Sequence, residues 1–254
     1  MNKIDVNGIQ LAYQRRGTGS PLVLIHGYPL DHSIWDAVLP LLENDFDLLI
    51  PDVRGFGQSS TVDAPYSMTD IAADLAAIMD SLGIEKAAFA GHSMGGYVAL
   101  AFAKGFPDRI SGLSLIASQA AGDTLERKDG RYKTAIDVGE KGVQLVADAM
   151  TDKLSPNQRV RDFVCPLIGK QSVLGVTGAL KAMAEREDLT AFLTSFKFPL
   201  VLIHGDADEL IPVDRAREIK TLVPAAHLIE LEGAGHMPMM EQPERTAEAL
   251  KHLK

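Results

Sequence analysis

The most informative segment of this 254-residue chain reads Gly91-His92-Ser93-Met94-Gly95-Gly96. It fits the pattern G-x-S-x-G, with a strand-like apolar run before it (Ala87 to Ala90) and a small-residue apolar helix after it (Met94 to Phe106). In that context the flanking glycines allow a sharp strand-to-helix turn. The hydroxyl of Ser93 then lies at a helix N-terminus, where the dipole favours developing negative charge. We therefore predict that Ser93 is a nucleophile, the alternative being an ordinary serine in a glycine-rich turn.

A serine hydroxyl is a weak nucleophile and needs a base within hydrogen-bond reach. Among the seven histidines, His236 lies in the loop Gly233-Ala-Gly-His-Met-Pro, directly after the last buried strand-like run. The orienting acid is expected between serine and histidine in chain order, after the preceding strand. Asp208 is favoured because the loop runs on from it to a helix predicted at Pro212, and Asp206 is the alternative. The predicted triad is thus Ser93, Asp208 and His236.

The negative charge that forms on the substrate oxygen needs two backbone N–H donors. Met94, directly after the serine, is one predicted donor. Tyr28, in the loop His26-Gly27-Tyr28-Pro29 after an early apolar run, is the other, because Pro29 has no N–H. Pro29, Trp35 and Met237 are the candidate substrate-pocket residues, with core packing as the favoured role for Trp35 and as an equal alternative for Met237. No metal or organic cofactor is required by this chemistry, and none is expected.

The rest of the chain alternates strand-like and helical patterns. Continuous apolar runs, typical of parallel strands covered on both faces, occur at Pro21–Ile25, Asp47–Ile50, Ala87–Ala90, Leu113–Ala117, Leu200–Ile203 and Leu228–Leu231. Helical patterns between them include Ser67–Leu82 and Pro212–Leu222. This alternation predicts an α/β protein with a mostly parallel sheet.

The alternation stops between residues 119 and 197, which contain no convincing buried strand. Short helical patterns there cover Ala135–Val138, Gly142–Met150, Gln158–Ile168 and Val173–Arg186. We predict one core formed by residues 1–118 and 198–254, with residues 119–197 inserted as a helical cap.

Composition restricts the possible partners. The chain is 46% hydrophobic and 23% charged, which excludes a disordered protein, and its net charge is −9. That sign repels phosphate backbones and anionic lipid, so neither nucleic acid nor membrane is an expected partner. The single cysteine, Cys165, cannot form an internal disulfide or a thiolate zinc site. No signal-like or membrane-spanning run is visible, and a cytoplasmic location is expected.

These motifs together resemble the α/β-hydrolase family, and in particular its small capped carboxylesterases and enol-lactonases. The residues carrying the resemblance are His26 to Pro29, Asp52 to Ser59, Gly91 to Gly96, Gly205 to Asp208 and Gly233 to His236. The resemblance implies a mostly parallel eight-stranded sheet and a cap that roofs the pocket. Relatives that are haloalkane dehalogenases or epoxide hydrolases carry aspartate at the position of Ser93, which argues against both.

The function that the resemblance implies is hydrolysis of small or medium carboxylic esters through an acyl-enzyme. The same triad also serves lactonases, cofactor-free perhydrolases (haloperoxidases), which the segment Tyr28-Pro29-Leu30 resembles, and C–C bond hydrolases. A ligand receptor that retains the triad is a further alternative. The expected partner is a small-molecule ester, and the expected assembly is a monomer or homodimer.

Overall fold

A computed structural model describes all 254 residues, and one eight-stranded sheet lies at its centre. The strands are β1 (Asn2–Val6), β2 (Ile9–Gly17), β3 (Ser20–Ile25), β4 (Phe46–Pro51), β5 (Ala87–His92), β6 (Ile110–Ile116), β7 (Leu200–Gly205) and β8 (His227–Leu231). Their order across the sheet is β1-β2-β4-β3-β5-β6-β7-β8. The β1–β2 and β2–β4 pairs are antiparallel, and all others are parallel. The predicted mostly parallel α/β architecture is confirmed.

The hydrophobic pattern explains which strands are central. In β5 and β7 every residue is buried, because helices cover both faces of the sheet there. The exposed hairpin β1–β2 turns at Asn7 and Gly8, whose φ angles of 50° and 78° suit the Asn-Gly pair. Most strands extend one to three residues beyond the predicted apolar runs, because ladder pairing continues past the run, as at His204 and Gly205 of β7, which pair with β8.

Ten α-helices accompany the sheet. They are α1 (Leu39–Leu42), α2 (Met68–Ser81), α3 (Met94–Gly105), α4 (Leu125–Lys141), α5 (Gln144–Leu154), α6 (Gln158–Gly169), α7 (Val173–Ala184), α8 (Asp214–Leu222), α9 (Pro238–Glu241) and α10 (Pro243–Leu250). Four 3₁₀ turns occupy His32–Trp35, Pro107–Arg109, Ala191–Ser195 and Lys251–Leu253. α8 begins two residues later than the proline that we expected to open it.

The chain between β6 and β7 contains α4 to α7 and no strand. Its helices differ from the sequence patterns chiefly in α4, which is 17 residues long although only Ala135–Val138 was predicted. The reason is that only Ala135 and Val138 of this helix are buried, so its apolar stripe is short. Thr124 caps the N-terminus by accepting a hydrogen bond from the Arg127 amide. No single helix is long and apolar enough to cross a bilayer, and α6 with α7 would qualify only as a pair bent by 104°.

Candidate active site

Ser93 occupies the turn between β5 and α3. Its backbone adopts φ 50° and ψ −113°, a strained conformation for a residue other than glycine. The turn is possible because glycine stands on both sides. A Cβ at Gly91 would collide with the Gly95 carbonyl, and a Cβ at Gly95 would collide with the Ile25 carbonyl on β3. The sequence motif therefore folds as the sharp strand-to-helix turn that we expected.

Asp208 and His236 meet at the carboxyl ends of β7 and β8. Asp208 Oδ2 lies 2.7 Å from His236 Nδ1, and both side chains are almost fully buried. Because an ionised carboxylate only accepts, Nδ1 carries the proton, and Nε2 is left as the free basic nitrogen. The other predicted acid, Asp206, accepts a hydrogen bond from the Gly233 amide at 2.7 Å. Asp208, rather than Asp206, is therefore the acid paired with the histidine.

The surroundings of Asp208 keep its carboxylate ionised. Burial by itself raises its pKa, but the charge of His236 and hydrogen bonds from His204, His236 and the Ile211 amide outweigh burial. The net effect holds the pKa of Asp208 well below its usual range. A permanently charged acceptor fixes the tautomer of His236 and can stabilise its protonated form.

Buried histidines hold the loops around the site. His92 Nε2 donates to the His236 carbonyl at 2.8 Å, and His204 Nε2 donates to the Ile211 carbonyl at 2.7 Å. His26 Nδ1 donates to the Gly27 carbonyl while its Nε2 accepts from the Val53 amide, both at 3.0 Å. Because His26 accepts at Nε2 while it donates at Nδ1, its ring is neutral, and burial lowers its pKa. Burial also lowers the pKa of His92 to about 3. His26, His92 and His204 therefore have a structural role, unlike His236.

The two predicted oxyanion donors are available. The backbone amides of Tyr28 and Met94 donate to no acceptor within the protein. Met94 is the first residue of α3, where amides have no intrahelical partner. Tyr28 and Ser93 line the same cavity. The amides are thus free to bind an oxygen atom of a ligand.

This cavity has a volume of about 860 Å³ and lies between the sheet edge and the cap. Ser93, Tyr28 and His236 line its floor, and residues of α4, α5 and α7 line the cap side. Ser93 and His236 are not hydrogen-bonded to each other here. Catalytic hydrogen bonds are often long in unliganded proteins and shorten when substrate binds.

Pro29, Trp35 and Met237 do not line this cavity, although we predicted them as pocket residues. Trp35 and Met237 are fully buried in the hydrophobic core, in agreement with the packing alternative, because the turns that carry them point their side chains inward. The cavity is instead lined by Leu210 and Ile211 and by the cap. The cap residues that line the cavity could not be predicted, since no sequence motif marks them.

Asp31, His32 and Asp52 are close enough together to share a metal ion. Hydrogen bonds within the protein already engage all three. His32 Nδ1 lies 2.7 Å from Asp52 Oδ1, and Asp52 also accepts from the Gln58 amide. Asp31 caps the following 3₁₀ turn. These hydrogen bonds explain the cluster of Asp31, His32 and Asp52 as a network that stabilises the loops, without a metal ion.

Comparison with known proteins identifies the class. Residues 20–243 match the alpha/beta hydrolase fold, and the chain belongs to this family. The chain is also 32% identical to the dihydrolipoyllysine-residue acetyltransferase component of the acetoin cleaving system of Pseudomonas putida. That match covers 96% of this chain and 66% of the relative's length.

Two solved structures are particularly similar. A thermophilic esterase from Thermogutta terrifontis, with malate bound, is 33% identical and superposes with a TM-score of 0.95, covering 99% of this chain and 97% of that one. The enol-lactonase from Burkholderia xenovorans LB400 is 25% identical with a TM-score of 0.91, covering 99% of each chain. The chain is thus an α/β hydrolase similar to esterases and to an enol-lactonase.

Proposed function

We propose that this protein is a serine hydrolase that cleaves carboxylic esters of small or medium acyl chain through an acyl-enzyme. The observation that carries the proposal is the 2.7 Å contact between Asp208 and His236, because His236 lines the same cavity as Ser93 on its strained turn. The similarity to the Thermogutta esterase supports the same reaction type.

The first half of the reaction acylates the serine. Ser93 Oγ attacks the ester carbonyl carbon and transfers its proton to His236 Nε2. The amides of Tyr28 and Met94 bind the oxyanion of the tetrahedral intermediate, each contributing about 3 kcal/mol to lowering the barrier. The intermediate collapses as His236 gives the proton to the leaving alcohol.

The second half releases the acid. A water molecule gives a proton to His236 and attacks the acyl carbon, and the proton returns to Ser93 Oγ as the acyl bond breaks. Asp208 remains ionised throughout and stabilises the protonated imidazole. The products are the free carboxylic acid and the regenerated serine.

Lactone opening is the second candidate, because the enol-lactonase is similar over the whole chain. It would use the same steps, with the leaving alcohol tethered to the acyl group. Peracid formation, C–C cleavage and ligand binding without turnover are further alternatives that share the three residues.

The test is a panel of p-nitrophenyl esters of rising chain length with several lactones, assayed on wild type and Ser93→Ala. We expect hydrolysis by wild type and its loss in the variant. We also expect a fluorophosphonate to label Ser93 of the wild type covalently. Turnover retained in Ser93→Ala contradicts the mechanism, and absence of both labelling and turnover favours the receptor alternative. Peroxide-dependent bromination would favour the perhydrolase reaction.

A further inference from the structure

The cap side of the active-site cavity carries an excess of positive charge. Three cationic side chains line it, namely Arg127, Arg131 and Lys153. Two acids, Glu126 and Asp137, line it as well, but Asp137 is bound by Lys141 at 2.6 Å. The chain as a whole has a net charge of −9, so this wall is opposite in sign to the protein around it.

One buried carboxylate, Asp123, lies close to Arg127 and Arg131 of this wall and also to Arg186, which does not line the cavity. Asp123 accepts from Arg131 Nε, lies 2.7 Å from Arg186 Nη1 and is 3.5 Å from Arg127 Nε. Its side chain is fully buried. The group carries three positive charges against one negative charge, a surplus that an anion in the cavity would compensate.

Arg131 is the member placed to contact a ligand. Asp123 holds its Nε and the Met183 sulfur lies 3.4 Å from Nη1, whereas Nη2 makes no hydrogen bond. Only 14% of its side chain is exposed, so its position is fixed by packing. An oriented guanidinium with a free N–H edge is suited to a carboxylate.

Tyr28 supplies a second unused donor in the same cavity. The residue is 93% buried, at 7% exposure, and its hydroxyl has no hydrogen-bond partner. A buried hydroxyl without a partner is costly, and such groups are usually satisfied by a ligand or water. Burial raises the pKa of Tyr28, and the nearby charge of Arg131 opposes that rise. Tyr28 and Arg131 both line this cavity.

We propose that Arg131 and the Tyr28 hydroxyl form an anion-binding subsite that receives a free carboxylate carried by the substrate. The preferred substrates would then be esters or lactones with a second, ionised carboxyl group, such as monoesters of dicarboxylic acids. This inference rests on the proposed ester-hydrolase function, and it adds the chemical class of the substrate.

The test compares two esters of the same shape, monoethyl glutarate and its neutral amide counterpart ethyl 4-carbamoylbutanoate, by ethanol release. We expect wild type to favour the anionic ester by about tenfold or more in kcat/KM, with added salt reducing the preference. Arg131→Gln is expected to lower this preference about tenfold, mainly through KM, and Arg131→Lys to lower it less. Arg215→Gln, which removes a charge on the outer face of α8, is the matched control and should keep the wild-type preference.

A second variant and a binding measurement make the outcome independent of folding and of turnover. Tyr28→Phe removes only a hydroxyl that has no partner, and it should also reduce the preference. Calorimetry with glutarate should show weaker binding to both variants than to wild type. Hydrolysis of both esters without preference, or equal glutarate binding in all proteins, overturns the anion subsite and leaves the ester-hydrolase proposal intact. If neither these esters nor the p-nitrophenyl esters are hydrolysed, the proposed function fails, and glutarate binding alone decides the subsite.

Discussion

The backbone carbonyl of Leu154, at the end of cap helix α5, accepts a hydrogen bond at 2.9 Å from the backbone amide of His236. Neighbouring residues of the same loop are tied down as well, because Glu241 accepts from the amides of Gly235 and Met237 at 2.8 and 3.0 Å. The loop that carries the predicted base is thus fixed from both the cap and the core. Substitutions in the cap that displace Leu154 should therefore shift His236 and change the rate of the reaction.

Gly235→Ala tests that coupling. A Cβ at Gly235 would lie 2.7 Å from Pro156 Cδ and 3.2 Å from the Leu154 carbonyl oxygen, so the loop must move away from the cap. Because a displacement of about 1 Å in an active site can cost about a hundredfold in rate, we expect kcat to fall at least tenfold. Gly139→Ala, on an exposed face of α4 with open space around it, is the matched control and should leave kcat unchanged. Equal kcat in the two variants would refute the coupling.

Asp208→Asn tests whether Asp208 or Asp206 is the acid that orients His236, a choice for which the sequence offered both residues. The asparagine cannot fix the His236 tautomer, and we expect kcat to fall by about 10⁴-fold with little change in KM. Asp206→Asn is the matched control, since Asp206 contacts the Gly233 amide rather than a histidine. Steady-state kinetics on a good ester substrate decides the matter. A larger loss in Asp206→Asn would reverse the assignment.

His92 makes stability depend on pH. Its pKa is lowered to about 3 by burial and by the neighbouring His236, whereas an unfolded histidine titrates near 6.5. Between those pH values His92 is protonated in the unfolded chain but not in the native protein. The free energy of unfolding therefore falls as the pH is lowered through this window. The contribution is about 1.4 kcal/mol per pH unit.

His92→Gln keeps a side-chain donor near the His236 carbonyl but does not titrate. Urea unfolding at several pH values from 6.5 downward should therefore give a slope of unfolding free energy against pH that is smaller by about 1.4 kcal/mol per unit. An unchanged slope would mean that the native ring is protonated as readily as the unfolded one.

Asp123→Asn should destabilise the cap. The substitution leaves Arg131 and Arg186 facing each other without the buried carboxylate between them. Removing one partner of a buried ion pair costs about 3–5 kcal/mol, which thermal unfolding would report as a clear fall in Tm. Asp152→Asn is the matched control, because that side chain is 94% exposed and lies 3.6 Å from Arg161. A similar Tm for both variants would contradict the role given to Asp123.

Much of the fold could be predicted from the sequence because its signals are local. The run of buried residues before Gly91 and the glycines around Ser93 specify a parallel strand and a sharp turn without reference to distant parts of the chain. Most of the α4 helix was not predicted beyond Ala135–Val138, because only Ala135 and Val138 face the interior. A polar helix that lies over a cavity has little periodic signal to read.

Sequence patterns alone were enough to predict the α/β architecture, the serine at its strand-to-helix turn and the order in which the acid and the histidine follow. Hydrophobic periodicity and the conformational freedom of glycine act over a few residues, so both can be recognised in the sequence. The three-dimensional arrangement was needed to establish which acid pairs with His236, to show that Trp35 and Met237 lie in the core, and to show that Arg131 and Tyr28 line one cavity. Those outcomes depend on how separate strand ends and cap helices meet, and side chains more than a hundred residues apart are brought together only by packing.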